Sequence, residues 1–361
     1  MQSRERIRAA LHGQPVDHTP FCPFLAYVWE FFPQEIRDMG GLNFHRSIGA
    51  DHMERGAACA VKEVLPDELN ITWKKEGDLA TTQYETPVGT LSLKRHMSGS
   101  GRTEFLVEHP LKTEEDFKVQ LWIEENTRFE YQPDVARDVI NALGEDGLAV
   151  GMLIPRGKSA YQSLVEHYAG TEELIYALVD YPDTVETLWK TMVERDLEAA
   201  RLSVQADYEY YLTFEDSSTQ NYSPSQYDRY IGSEIGQWCD MINAAGKHYI
   251  QHACGHVDAL VERMRDHGVF AVESLSPPPT GNLELKNARA KLSDSMGIIG
   301  GIEPTHFLDL TEDELVDYTR QVLADGAGGP FVMANSDSCP PGVTPDKFKL
   351  VAEVARRQVA G

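Results

Sequence analysis

The chain has 361 residues, 42% of them apolar, which suffices for a sizeable core and excludes a disordered chain. With 57 acidic against 33 basic residues the net charge is −24; such a balance argues against nucleic acid and anionic membrane as partners, because both are held by clustered Lys and Arg. Met1 to Arg8 hold no apolar signal core, no apolar run is long enough to span a bilayer, and Cys22, Cys59, Cys239, Cys254 and Cys339 are too scattered for a disulfide framework, so a cytoplasmic, reducing setting is expected.

In chain order, residues 3–11 read as an amphipathic helix stopped by Gly13 and Pro15. Residues 19–26 are apolar and read as a first strand, although Pro20 and Pro23 weaken it. A dense aromatic run follows, from Phe21 and Phe24 through Tyr27 and Trp29 to Phe31 and Phe32. Residues 81–94 alternate around Pro87-Val88-Gly89, the pattern of a β-hairpin. Because that hairpin stands outside any strand–helix rhythm, residues 60–120 are expected to be an N-terminal elaboration on a single domain spanning 1–361.

From about residue 147 the rhythm becomes strand, loop, helix. Strands are expected at 148–154, 208–214, 247–251, 269–273, 296–299 and 330–334, and helices at 164–179, 182–205, 224–245, 257–266, 283–292, 311–323 and 345–358. Thr311 with Glu314 has the spacing of a capping box. Alternating β and α elements imply a parallel sheet with helical crossovers. Candidate functional groups fall at the carboxyl ends of at least five successive strands. A closed (β/α)8 barrel, also called a TIM barrel, gathers all its strand ends at one mouth, whereas an open sheet gathers ligands at a single switch point. The barrel is therefore the expected fold.

The stretch with the most specific chemistry is His252-Ala253-Cys254. Side chains two apart on extended backbone share a side, and imidazole and thiolate are the ligand types zinc prefers. Glu273 and Cys339, each after its own apolar run, supply the two further donors of a tetrahedral site. The plainer reading, in which the cysteines are small buried apolar residues, stands beside it. Asp216, Asn335 and Asp337 also sit at strand ends. They are candidates to act in catalysis or to hold substrate, and equally candidates to cap turns. Tyr27 and Trp29 are candidates for a substrate wall.

These residues resemble a known family. The segments Ser3 to Pro20, Thr86-Pro87-Val88-Gly89, His252-Ala253-Cys254-Gly255, Gly300-Gly301-Ile302-Glu303-Pro304 and the Cys339 region are similar to the uroporphyrinogen decarboxylase superfamily, and within it to the zinc-dependent, corrinoid-linked methyltransferases. The strand ending at Glu273 is also similar to the zinc region of cobalamin-independent methionine synthase. The resemblance implies a (β/α)8 barrel, Zn2+ at the strand ends and a corrinoid carried on a partner protein, since the cobalamin-binding pattern Asp-x-His-x-x-Gly is absent here. True decarboxylases of the family carry arginines after the first strand, where this chain has Pro23 to Glu30 without one.

Two directions of chemistry follow from the resemblance. In one, a methyl group passes from a methyl ether, with zinc as Lewis acid, to a Co(I) corrinoid. In the other, a methylated corrinoid gives its methyl group to a zinc-bound thiolate. The aromatic run favours a methoxylated aromatic donor, beside the plainer reading that its rings cover the core beneath the N-terminal elaboration. The remaining alternatives are a decarboxylase-like activity and a non-catalytic zinc barrel. A homo-oligomer is compatible with everything above.

Overall fold

The computed structural model describes residues 1–98 and 104–357. At its centre is a seven-stranded parallel sheet whose strands follow one another in space as they do in the chain: His52–Ala57, Gly147–Met152, Tyr210–Phe214, His248–His252, Ala271–Leu275, Gly297–Ile302 and Phe331–Asn335. The sheet is curled. Its first and last strands both reach the segment around Phe21, which forms a parallel bridge to Met333. There Cys22 N–H donates to the Met333 carbonyl at 2.8 Å, Met333 N–H donates to the Pro20 carbonyl at 3.0 Å, and Asp51 N–H donates to the Phe21 carbonyl at 2.8 Å. The architecture is TIM-barrel-like.

From Gly147 onward both faces of the sheet are buried, which is why those strands read as largely apolar runs. Tyr210, Leu212, Ile250, Ala271, Ile299, Val332 and Ala334 form the inner cluster. The helix Ser3–Leu11 closes the lower end of this cluster by inserting Ile7, Ala10 and Leu11. Alternate residues such as Tyr211, Tyr249, Val272 and Ile298 face the other way, into a larger core shared with the outer helices.

The first strand expected at 19–26 is cut to its minimum. Proline cannot donate to a ladder, so Pro20 and Pro23 confine pairing to the residues between them. The chain then turns into the short helix Ala26–Trp29. The strand His52–Ala57 was not expected. It holds His, Glu and Arg in an otherwise apolar sheet, and so shows no strand period. The helix expected at 164–179 is two pieces, a π-helical turn Leu164–Tyr168 and the helix Thr171–Asp180, with Gly170 at φ 83 between them. The helices at 182–205 and 257–266 are shorter than expected, Pro182–Ser203 and Val261–Asp266. The last helix spans Pro345–Arg357, Gln358 lying outside the described residues. The capping box holds: Glu314 N–H donates to Thr311 Oγ1 at 3.4 Å, and Thr311 N–H donates to the Glu314 carboxylate at 2.9 Å.

The hairpin Leu79–Thr86 and Gly89–Met97 belongs to a four-stranded antiparallel sheet with Asn70–Glu76 and Glu104–Glu108. Gly89 is required where the hairpin meets the helix Glu114–Asn126, because a Cβ there would stand 2.6 Å from Val119 Cγ2. Among the described residues no helix is long and apolar enough to cross a membrane.

Candidate functional site

Three donors converge at the carboxyl end of the sheet. His252 is the last residue of its strand, Cys254 lies two residues beyond it, and Asp216 lies two residues beyond the end of the neighbouring strand Tyr210–Phe214. His252 pairs in register with Phe214 on one side and Glu273 on the other. One ligand atom from each of Asp216, His252 and Cys254 lies within 4.8 Å of the other two. Asp216 Oδ1 is 3.2 Å from His252 Nε2 and accepts from Cys254 Sγ at 3.3 Å. Asp216 reaches this position with a left-handed backbone, φ 43, and Ser274 beside Glu273 has φ 69. Such conformations are costly for residues other than glycine and collect at functional sites.

The other side of the His252 ring is held by a chain of buried charges. Glu273 Oε2 contacts Nδ1 of His252, and Glu273 Oε1 accepts from Arg55 Nε at 2.8 Å. Arg55 in turn donates through Nη2 to the Cys22 carbonyl at 2.8 Å. Only 3% of the Arg55 side chain and 1% of that of Glu273 are exposed. Burial opposes ionisation of both Glu273 and His252, yet the pairing wins: His252 and Arg55 hold the Glu273 carboxyl below its usual range, and Glu273 with Asp216 raises His252 well above its own. With its proton kept on Nδ1 by Glu273, the ring turns Nε2 toward Asp216 and Cys254. This is the carboxylate–histidine arrangement that orients metal-bound imidazoles.

Asp216 is tied on its far side to Lys158, which also contacts Glu166 Oε2 at 2.8 Å and donates to the Phe214 carbonyl at 2.5 Å. Burial and the Asp216 charge push Glu166 up to about 7 despite Lys158. Glu166 sits in the π-helical turn Leu164–Tyr168, a rare conformation often found at functional sites. Burial pushes the Cys254 thiol up to about 11, although the His252 charge pulls it down. A thiol in this setting ionises when a further cation arrives, and a divalent metal is such a cation. The donor set, one nitrogen, one sulfur and one carboxylate oxygen, suits zinc.

The other residues picked out from the sequence are placed differently. Cys339 is buried in the segment after the last strand; its thiol is raised by burial and by Asp337 and Glu303, and it lies outside the three-donor group. Glu273 also lies outside that group, holding the histidine ring instead. Asn335 spends its amide on backbone: Oδ1 accepts from Phe24 N–H at 2.8 Å, and Nδ2 donates to the carbonyls of Phe24 at 2.6 Å and Asp337 at 2.8 Å. Asp337 accepts from Ser338 N–H at 2.6 Å and is raised mainly by burial. Trp29 packs edge-on against Phe32 and Phe44, while Tyr27 is 63% exposed. The rings next to His252 are Phe214, with centroids 5.1 Å apart, and Phe24 at 6.3 Å.

Sequence reading missed Arg55, Lys158, Glu166 and Phe214. Phe214 had a usable signal, as the residue in register with the histidine of the next expected strand. Arg55 had none, because its strand carries no apolar pattern.

The chain is similar over 99% of its length to a methyltransferase from Methanosarcina mazei, of which it covers 99%, with 13% identity and a TM-score of 0.64. It also matches a B12-independent methionine synthase from Shewanella sp. W3-18-1 at 10% identity and a TM-score of 0.43, covering 95% of this chain and 96% of that one. No curated protein matches it. The model of the uroporphyrinogen decarboxylase (URO-D) family matches residues 106–358. The chain belongs to the uroporphyrinogen decarboxylase family.

Proposed function

We propose that this chain is a zinc-dependent methyltransferase of the corrinoid-linked kind, built on a closed (β/α)8 barrel in which the Phe21 segment serves as the eighth strand. The observation that carries the reading is the three-donor group Asp216–His252–Cys254, with His252 clamped from behind by Glu273 and Arg55. The likeness to the Methanosarcina mazei methyltransferase supports the barrel. Zinc would be held by His252, Cys254 and Asp216, with Cys339 as the fourth donor from the segment after the last strand. Bound there, the metal supplies Lewis acidity toward the oxygen of a methyl donor.

The chain's own groups have separable tasks. Glu273 keeps the proton on His252 Nδ1. Arg55 fixes Glu273 and, 5.6 Å from the Phe24 ring centroid, also braces that ring. Lys158 balances the charge of Asp216. Phe24 and Phe214 flank His252 and give a flat substrate an apolar face, which favours a methoxylated aromatic donor. The methyl acceptor is the Co(I) corrinoid of a separate protein. A second reading, methyl transfer from such a corrinoid to a thiol, is favoured by the anionic donors, because a carboxylate beside one or two thiolates weakens Lewis acidity. The absence of arginines from Pro23 to Glu30 speaks against a polycarboxylate substrate.

The test is zinc content and methyl transfer on one set of proteins. Cys254→Ser should lose the mouth zinc and all transfer, and Cys339→Ser should weaken zinc binding by at least about tenfold, the loss already typical when only a group behind a ligand is removed. Transfer from a methoxyarene should require added corrinoid protein. Zinc retained at the mouth in Cys254→Ser refutes the metal assignment; turnover with thiols alone replaces the aromatic reading with the second one.

A further inference from the structure

The amino end of the sheet carries a second convergence of ligand types that the reading above leaves unused. His12 caps the carboxyl end of the Ser3–Leu11 helix, Glu209 immediately precedes the strand Tyr210–Phe214, and His248 opens the strand His248–His252. His248 and His252 stand four strand steps apart, about 13 Å of extended chain, so this group is distinct from the one at the mouth. One ligand atom from each of His12, Glu209 and His248 lies within 4.8 Å of the other two.

We propose that His12, Glu209 and His248 form a second divalent-metal site, of the kind that takes zinc or nickel, which fastens the N-terminal helix to the floor of the sheet. Two imidazoles and one carboxylate suit these ions. The framework is rigid where it needs to be. Glu209 and His248 are joined through their backbones, His248 N–H donating to the Glu209 carbonyl at 3.0 Å, so their side chains spring from adjacent strands in fixed register. The His248 ring stacks on Phe270 with centroids 4.2 Å apart, and the His12 ring stands 4.9 Å from it, edge-on. The Tyr210 hydroxyl is 2.9 Å from His12 Nε2 and sets the ring's orientation. His12 also borders an open cleft lined by Gln14, Pro15 and Gly328, which gives an ion a way in.

A cation already uses this site. Arg8 Nε donates to Glu209 Oε1 at 2.8 Å, and 61% of its side chain is exposed. A divalent ion therefore displaces a weakly held guanidinium instead of meeting a bare carboxylate. What is gained is a cross-link between the helix that closes the inner cluster and two strands of the sheet. An ion that binds only the folded chain raises its stability by mass action.

The experiment uses zinc itself as probe, measured by competition with a chromophoric chelator and by thermal unfolding, with circular dichroism to confirm folding. Wild type should take up two equivalents. Cys254→Ser should keep one, and zinc should raise its Tm. Adding His12→Ala, or the milder Glu209→Gln, to Cys254→Ser should abolish both the uptake and the Tm shift. Arg8→Ala should tighten the retained site about two- to fivefold, the factor an exposed ion pair is worth, a gain that plain packing of histidine rings does not predict. No uptake by Cys254→Ser overturns the proposal and leaves the mouth site standing; uptake that ignores His12 and Glu209 overturns the proposal and also counts against Cys254 as a ligand at the mouth. One equivalent in wild type that survives Cys254→Ser and disappears with His12→Ala supports it while refuting the mouth site.

Discussion

Replacing Arg55 by methionine tests how much the fold depends on the charge chain behind His252. Arg55 and Glu273 are almost wholly buried, and the guanidinium makes a 2.8 Å bond to the carboxylate and a second of 2.8 Å to the Cys22 carbonyl. Removing one member of a buried pair costs about 3–5 kcal/mol when the other is left uncompensated; Glu273 keeps His252 as a partner, so the lower end of that range, about 3 kcal/mol, applies. The lost bond to Cys22 adds about 1 kcal/mol. The bond joins the first short strand to the next, so the loss should appear as global destabilisation of about 4 kcal/mol. Equilibrium urea unfolding of the metal-free protein, followed by tryptophan fluorescence, reads it. The double variant Arg55→Met/Glu273→Gln removes the stranded charge and should recover about 2 kcal/mol or more of the loss. A single variant within about 1 kcal/mol of wild type, the size of one ordinary hydrogen bond, or a double variant no more stable than Arg55→Met, would refute the argument that Glu273 is held ionised by Arg55.

Asn335→Ala leaves the Phe24 amide and two carbonyls without their partner in a fully buried place. Unfolding should become easier by about 2–4 kcal/mol, and Asn335→Asp should not rescue it, because a carboxylate cannot donate to either carbonyl. At the lower end of the sheet, Asp17 accepts from Arg6 Nε at 2.6 Å and is held well below the usual carboxylate range by that bond. A depressed folded pKa contributes stability above the unfolded value of 3.8, and that contribution fades as the pH falls through the lower folded value. Asp17→Asn should therefore be less stable than wild type at pH 7, with the gap in Tm closing progressively below pH 3.8; a gap independent of pH would show that the ion pair is not its source.

What the sequence made legible follows from burial. The strands from Gly147 onward are covered on both faces, so each appears as an apolar run, and the polar residue ending each run is automatically at the mouth. His252, Asp216 and Glu273 were found that way. His52–Ala57 occupies the same sheet but fills its place with His52, Glu54 and Arg55: His52 contacts Glu54 at 2.9 Å and reaches His45 on a neighbouring helix, and Arg55 pairs with Glu273 more than two hundred residues away. No local pattern encodes such a strand. Lys158 is similarly silent, since it leaves a loop to reach Asp216 just beyond the next strand.

The roles of the two carboxylates beside His252 show where spacing stops being informative. Parallel register sets Glu273 directly beside His252, on the same side of the sheet and one strand away, so its short reach ends at the nearer ring nitrogen, Nδ1. Asp216 starts two residues beyond the register partner Phe214 and bends back through φ 43, which delivers its carboxylate to Nε2 and to Cys254 together. Aspartate tolerates that left-handed turn better than most side chains do. A carboxylate that shares the thiol's side of the ring is placed to join it on a metal, and one on the opposite nitrogen is placed to hold the ring. Glu273 was picked from the sequence as a ligand because it ends a strand; in the proposed site that place goes to Asp216, whose backbone angle no spacing reveals, and Glu273, with Arg55 behind it, holds His252 Nδ1.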